Sequence, residues 1–213
     1  MFTRVTISLL QGFGQNLIIF FITLIVALPL GLLITWGRMS KIRPLSLASG
    51  GLIWIIRGTP LMLQLFIVFY VPGLVFGMPF HSRMLAALIA FSINYAAYFA
   101  EIYRGAIENI PKGQWEAGRV LGLTKKQVFF NIILFQIFKR ITAPIGNEII
   151  TLVKDTALAR VIAVPEILMN ASNFTAQGLV WPLFYTGAFF LAMAAIITWV
   201  FGRIERRIAY ATG

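Results

Sequence analysis

Glu148, Thr151 and Asp155 stand at i, i+3 and i+7 within an otherwise apolar part of the chain. On a helix that spacing puts all three on one face. Two carboxylates on one face suit a cationic amino group or a guanidinium. The alternative is structural: Asp155 caps a broken helix end, and Glu148 pairs with a base such as Arg57 or Lys154. Arg57 heads the segment Arg57-Gly58-Thr59-Pro60, which interrupts a second apolar stretch. Its guanidinium either meets a substrate carboxylate or snorkels to a membrane interface. Gly58 and Pro60 permit a helix break, and broken helices often mark transport sites. Ionisable groups at membrane depth are costly, so they are functional candidates by default. Arg57, Thr59, Glu148, Thr151 and Asp155 are therefore the candidate substrate path.

The composition explains why membrane depth is the right frame. Of 213 residues, 59% are hydrophobic and 12% are charged, with 19 Phe and 5 Trp. Mean hydropathy is +0.86. Soluble domains use roughly 45–50% apolar residues, so the excess must face lipid. The net charge of +11 would suggest nucleic acid in a soluble protein. Here the Lys and Arg stand between apolar runs, where cytoplasmic loops need them, and no nucleic-acid partner is expected. Cysteine is absent, which excludes disulfides, thiolate metal sites and a thiol nucleophile. The lone His81 lies in a Gly/Pro-rich loop and reads as a solvated residue. No convergent nucleophile, base or metal set argues for an enzyme. No Gly-rich loop ends in Gly-Lys-Ser/Thr, so ATP phosphates are not cradled by this chain, and no cofactor of its own is expected.

Spanning takes about 20 apolar residues. Leu17 to Trp36 is the first span, retained rather than cleaved as a signal, with Trp36 as an interface anchor. Arg38, Lys41 and Arg43 follow in a short basic loop. The stretch from Leu45 through Arg57 to Pro72 is read as a single second helix, because an even number of spans must join this loop to the next basic region. Residues 71–83 form an outside loop. Met84 to Tyr103 is the third span, closed by Glu101 and Arg104 at pairing distance. Residues 106–140 are the longest polar segment. One short helix is predicted from Lys112 to Leu121, ending at Gly122. A second is predicted to start at Thr124, with Gln127 completing a capping box. Ile141 to Ile162 is the fourth span and Leu179 to Phe201 the fifth. Small residues from Gly187 to Ala195 suit close helix packing. Thirteen Lys and Arg fall in proposed inside segments and two, Arg4 and Arg83, outside. That asymmetry sets the N-terminus outside and the C-terminus inside.

The polar segment reads Trp115-Glu116-Ala117-Gly118-Arg119-Val120-Leu121-Gly122, then Ile132-Ile133-Leu134-Phe135. It resembles the EAA coupling loop of ABC importer permeases. Glu116, Ala117, Gly122, Ile132 and Leu134 match that pattern at the right spacing, while Gly118 replaces an Ala and Phe135 replaces a Pro. A helix-turn-helix of this kind suits docking in a groove of a soluble partner. Ala117 and Gly118 would permit close backbone approach, Glu116 would meet a basic group, and Gly122 would take a left-handed turn.

Further segments are similar to the polar amino-acid permeases of the histidine/glutamine/arginine group. They are Arg57-Gly58-Thr59-Pro60-Leu61, Asn94-Tyr95-Ala96-Ala97-Tyr98, Ile110-Pro111-Lys112-Gly113-Gln114-Trp115-Glu116-Ala117, and Lys154-Asp155-Thr156-Ala157-Leu158, where Ala157 takes the place of a usual Ser. The resemblance covers nearly the whole chain. It implies an all-α membrane protein: one type I importer transmembrane domain over residues 1–213, in a prokaryotic cytoplasmic membrane. It also implies two ATPase subunits that bind ATP and magnesium, a second permease chain, and an extracytoplasmic binding protein that delivers a polar amino acid. A self-contained secondary carrier is the competing class. Such carriers usually show two related halves, and no internal repeat is visible here.

Overall fold

A computed structural model describes residues 1–210, and these are helical with no strand. The first helix, α1, runs over Phe2–Arg38, well beyond the expected Leu17–Trp36. The polar residues at its start explain the extension. Asn16 is buried, and its Nδ2 donates to Thr156 Oγ1 at 3.0 Å. Its Oδ1 accepts from the Ile167 backbone N–H at 3.1 Å. A side chain that is satisfied inside the protein no longer needs water, so the helix continues through it.

The predicted single second helix is corrected. Two helices, α2 (Arg43–Gly58) and α3 (Leu61–Phe76), meet at a bend of 108°. Pro60 has no N–H to continue the ladder, and it forces the preceding residue out of helical space. Thr59 is accordingly extended, at φ −119° and ψ 147°. The break strands backbone carbonyls at membrane depth, where each unpaired group is costly. Side chains take them up. Thr59 Oγ1 donates to the Ile55 carbonyl at 2.9 Å. Gln64 Nε2 donates to the Ile56 carbonyl at 2.8 Å and to the Thr59 carbonyl at 3.1 Å. Gln64 Oε1 in turn accepts from Asn94 Nδ2 at 2.9 Å.

Asn94 belongs to α4 (Arg83–Glu108), which Ser82 caps by accepting from the Leu85 N–H. This helix is the centre of the bundle. Ala86, Ala87, Ala90, Ala96, Ala97 and Ala100 are all buried, and such small residues let helices approach closely without a hydrophobic drive between them. Against α1 the fit is tight: a Cβ on Gly31 would stand 3.0 Å from the Ala96 carbonyl oxygen. Thr35 Oγ1 crosses the same seam to the Ala100 carbonyl at 3.0 Å.

Then come the short helices α5 (Lys112–Val120) and α6 (Lys125–Val128). A π-helical turn, Phe129–Ile133, leads into α7 (Leu134–Asp155), which starts seven residues before the expected Ile141. A 3-10 turn covers Thr156–Ile162. An unanticipated helix, α8 (Ile167–Thr175), is capped by the buried Glu166, whose carboxylate accepts from the Leu168 and Met169 N–H groups. The last helix is α9 (Trp181–Tyr210). Among the described residues, four helical segments are long and apolar enough to cross a membrane, or five if the bent α2–α3 pair is one span. The larger count agrees with the five expected spans.

Gln64→Leu should loosen this arrangement, because it orphans two carbonyls and the Asn94 amide at about 1–3 kcal/mol per buried group. The expected outcome is a clearly lower midpoint in thermal unfolding of the detergent-purified protein. A midpoint within error of wild type would show that the amide is dispensable.

Candidate functional site

Three elements converge beside the break. Thr59, Pro60 and Leu61 from the α2–α3 junction, Asn94, Tyr95 and Tyr98 from α4, and Glu148, Thr151 and Asp155 from α7 line one cavity of about 330 Å³. The spacing argument for α7 is therefore realised in space, and Thr59 joins the same wall. Tyr95 donates its hydroxyl to Asp155 Oδ2 at 2.8 Å. Asp155 closes α7 but makes no side-chain cap bond to the following 3-10 turn, so the tyrosine, not a helix end, is its partner. Among the described residues the ion pairs join Arg104 to Glu101 and to Glu108, as the i, i+3 spacing of the first pair leads one to expect. Glu148 has no such partner. Arg57 is exposed and stacks its guanidinium over the Tyr98 ring, 5.2 Å from the centroid. It stands at the edge of the cavity rather than in its wall, within electrostatic reach of Glu148.

The arrangement offers two acids, one guanidinium at the edge, two phenols and an amide. Chemically, the acids can accept from a cationic group and the guanidinium can donate to an anionic one. Sequence reasoning did not single out Tyr95, Tyr98, Asn94 or Gln64 for this role. The signal was present, since Asn94, Tyr95 and Tyr98 place three polar groups inside a span.

At the other end of α7 lies the helix-turn-helix. Its capping box forms as predicted: the Gln127 N–H donates to Thr124 Oγ1 at 3.3 Å, and the Thr124 N–H to Gln127 Oε1 at 2.8 Å. Gly122 is left-handed, at φ +73°. Gly118 has a role inside the loop itself. It is buried inside the loop, and a Cβ there would stand 2.3 Å from Val128 Cγ2. Its lack of a side chain lets α5 close on α6. Glu116, Ala117, Val120 and Leu121 remain exposed, with Val120 at 87%. Ile132 and Leu134 are half-buried, while Phe135 is exposed on an unbroken helix. The π turn, not a proline, carries the chain from the loop into α7. Such turns frequently occur at functional sites.

Residues 27–210 match the family of binding-protein-dependent transport system inner membrane components. The chain belongs to that family. It is 39% identical over 192 residues to the L-cystine transport system permease protein of Bacillus subtilis, covering 88% of this chain and 80% of that one. It is 32% identical over 202 residues to the arginine transport system permease protein of the same species, covering 94% and 92%. Among solved structures, an amino acid ABC transporter crystallised with histidines aligns at a TM-score of 0.86 and 30% identity over 97% of this chain and 96% of that one. The MetNI methionine ABC transporter aligns at 0.68 and 18% identity over 96% and 95%, which shows a shared fold. The chain is thus a multi-pass permease subunit of a bacterial cytoplasmic membrane. It works with a binding protein, and ATP hydrolysis belongs to a separate subunit.

Gly118→Ala is expected to pry α5 from α6 and weaken retention of the ATPase subunit in a detergent pull-down. Adding Val128→Ala should restore it by making room for the new methyl group. Undiminished retention with Gly118→Ala alone would mean that the loop tolerates the wider spacing.

Proposed function

We propose that this chain is the membrane-spanning domain, over residues 1–213, through which an ABC importer passes a polar amino acid. The observation that carries this reading is the cavity beside the broken span, where Glu148 and Asp155 face the tyrosines of α4 and Arg57 guards the edge. Glu148, Thr151, Asp155, Thr59 and Arg57 form the substrate path. The carboxylates receive the amino group, together with any side-chain cation, and the guanidinium receives the carboxylate. Charge complementarity at a water-poor site gives selectivity as well as affinity. The names of the relatives, cystine and arginine permeases among them, support an amino-acid cargo.

The basic end of the bundle faces the cytoplasm, by the rule that Lys and Arg stay inside, and the N-terminus lies outside. The loop of residues 106–140 then presents Glu116, Ala117 and the turn at Gly122 to an ATPase subunit, with Gly118 holding the two loop helices together. Ile132 and Leu134 anchor the loop to the membrane. Two ATPase subunits, each binding ATP and magnesium, pair with two permease chains, identical or homologous. An extracytoplasmic amino-acid-binding protein delivers the cargo to the opposite face.

Two measurements test this. In proteoliposomes holding the assembled importer and its binding protein, Glu148→Gln should lower uptake of radiolabelled arginine, glutamine or cystine, whichever the wild type carries. The expected loss is roughly tenfold to a hundredfold, the scale of one charge-assisted hydrogen bond. Unchanged uptake kinetics in a fully assembled mutant would remove Glu148 from the path. In a detergent pull-down with the co-expressed ATPase, Glu116→Arg should abolish retention while the permease stays monodisperse. Retention equal to wild type would show that the loop is not where the ATPase docks.

A further inference from the structure

A second cavity, of about 460 Å³, lies toward the basic end between α1, α4, α7 and α9. It shares no lining residue with the acidic cavity. Its floor is Ile137, Ile141 and Ile149, all buried, and its rim is Leu32, Phe138 and Ile204, all exposed. The volume falls within the usual range for small-ligand sites, roughly 300–1,000 Å³. Only Tyr103 and Thr142 bring polar side-chain atoms to the wall, and both are already engaged. Tyr103 donates to the Leu28 carbonyl at 3.4 Å, and Thr142 to the Phe138 carbonyl at 2.7 Å. A chamber with no free polar group does not hold ordered water. It opens sideways past apolar side chains, so what enters from that direction is hydrocarbon.

Charge selects among hydrocarbon-bearing molecules. Ile204 of the rim is followed by Arg206 and Arg207 and preceded by Arg203, against the single acid Glu205, and all four are exposed. Arg207 stands at i+3 from Ile204, one turn nearer the helix end on an adjoining strip of surface. Trp36 and Trp199, both exposed, are aromatic anchors of the kind that mark the headgroup level, and Arg203 stacks on Trp199 at 4.3 Å. A dry lateral slot with three arginines at its mouth has the two halves of a lipid site.

The geometry points to a bound anionic phospholipid in the cytoplasmic leaflet, with an acyl chain between α1, α7 and α9 and its phosphate on the Arg203–Arg207 cluster. Ile107, near the start of the loop of residues 106–140, and Leu134, the first residue of α7, also line this slot. The lipid therefore sits under the loop that meets the ATPase.

The test is native mass spectrometry of the assembled importer, equilibrated in micelles with equal amounts of phosphatidylglycerol and phosphatidylcholine. Wild type should retain phosphatidylglycerol in preference. Neutralising the arginines (Arg203→Gln, Arg206→Gln, Arg207→Gln) should reduce that preference by about fivefold for each charge removed, while chain occupancy persists. Ile204→Trp at the rim and Ile145→Trp inside the slot should each displace both lipids, and the rim variant guards against a core substitution that fails to fold. Equal retention of the two lipids by wild type, or undiminished retention in both tryptophan variants, overturns the proposal. Retention of a third permease chain in place of lipid overturns it as well.

Discussion

The structure turns on one requirement: a chain broken at membrane depth must find partners for the carbonyls that the break exposes. Pro60 favours the break, and Gln64 satisfies the groups that it exposes. The Gln64 amide spends both its donor and its acceptor, binding the Ile56 and Thr59 carbonyls on one side and Asn94 of α4 on the other. That bridge fixes the angle between α2 and α3 and pins the junction to the centre of the bundle. Thr59, Arg57 and Tyr98 come together as a result. The cavity forms where the second span bends.

A second polar knot works just beyond the C-terminal end of α7. Asn16 reaches Thr156 and the Ile167 N–H, and its Nδ2 approaches Glu166 Oε2 at 3.4 Å. The knot fastens α1 to the segment that directly follows Asp155. Buried polar groups of this kind are costly unless fully satisfied, and here they tie three elements at the residue next to an acid of the cavity. The apolar seams between helices supply closeness, through the alanines of α4. The amides supply position.

Much of this was legible in the sequence, and the exceptions have physical causes. The five crossing segments followed from apolar length and from the placement of Lys and Arg, both of which lipid enforces strictly. The capping box at Thr124 and the turn at Gly122 followed from local chemistry that needs no tertiary context. The face shared by Glu148, Thr151 and Asp155 followed from helical period. What local pattern does not encode is which element lies opposite. Gly118 faces Val128, ten residues away, and Asp155 meets Tyr95, sixty residues away. The straight reading of the second span failed because a charge-counting argument fixes the number of crossings and says nothing of their shape. The length of α1 was underestimated because Asn16, which looks solvated in sequence, is buried and bonded to the start of α8.

The π turn makes the helix-turn-helix loop continuous with α7, a helix of 22 residues, about 33 Å long at 1.5 Å per residue. One end carries the loop and the other carries the acids. Pro144 lies between them and removes a ladder hydrogen bond, while Gly146 rests against the Phe201 ring of α9, where an added Cβ would stand 2.8 Å from the ring. Pro144 and the Gly146 contact divide the helix into two arms. A displacement at the loop end would meet both before it reached Glu148.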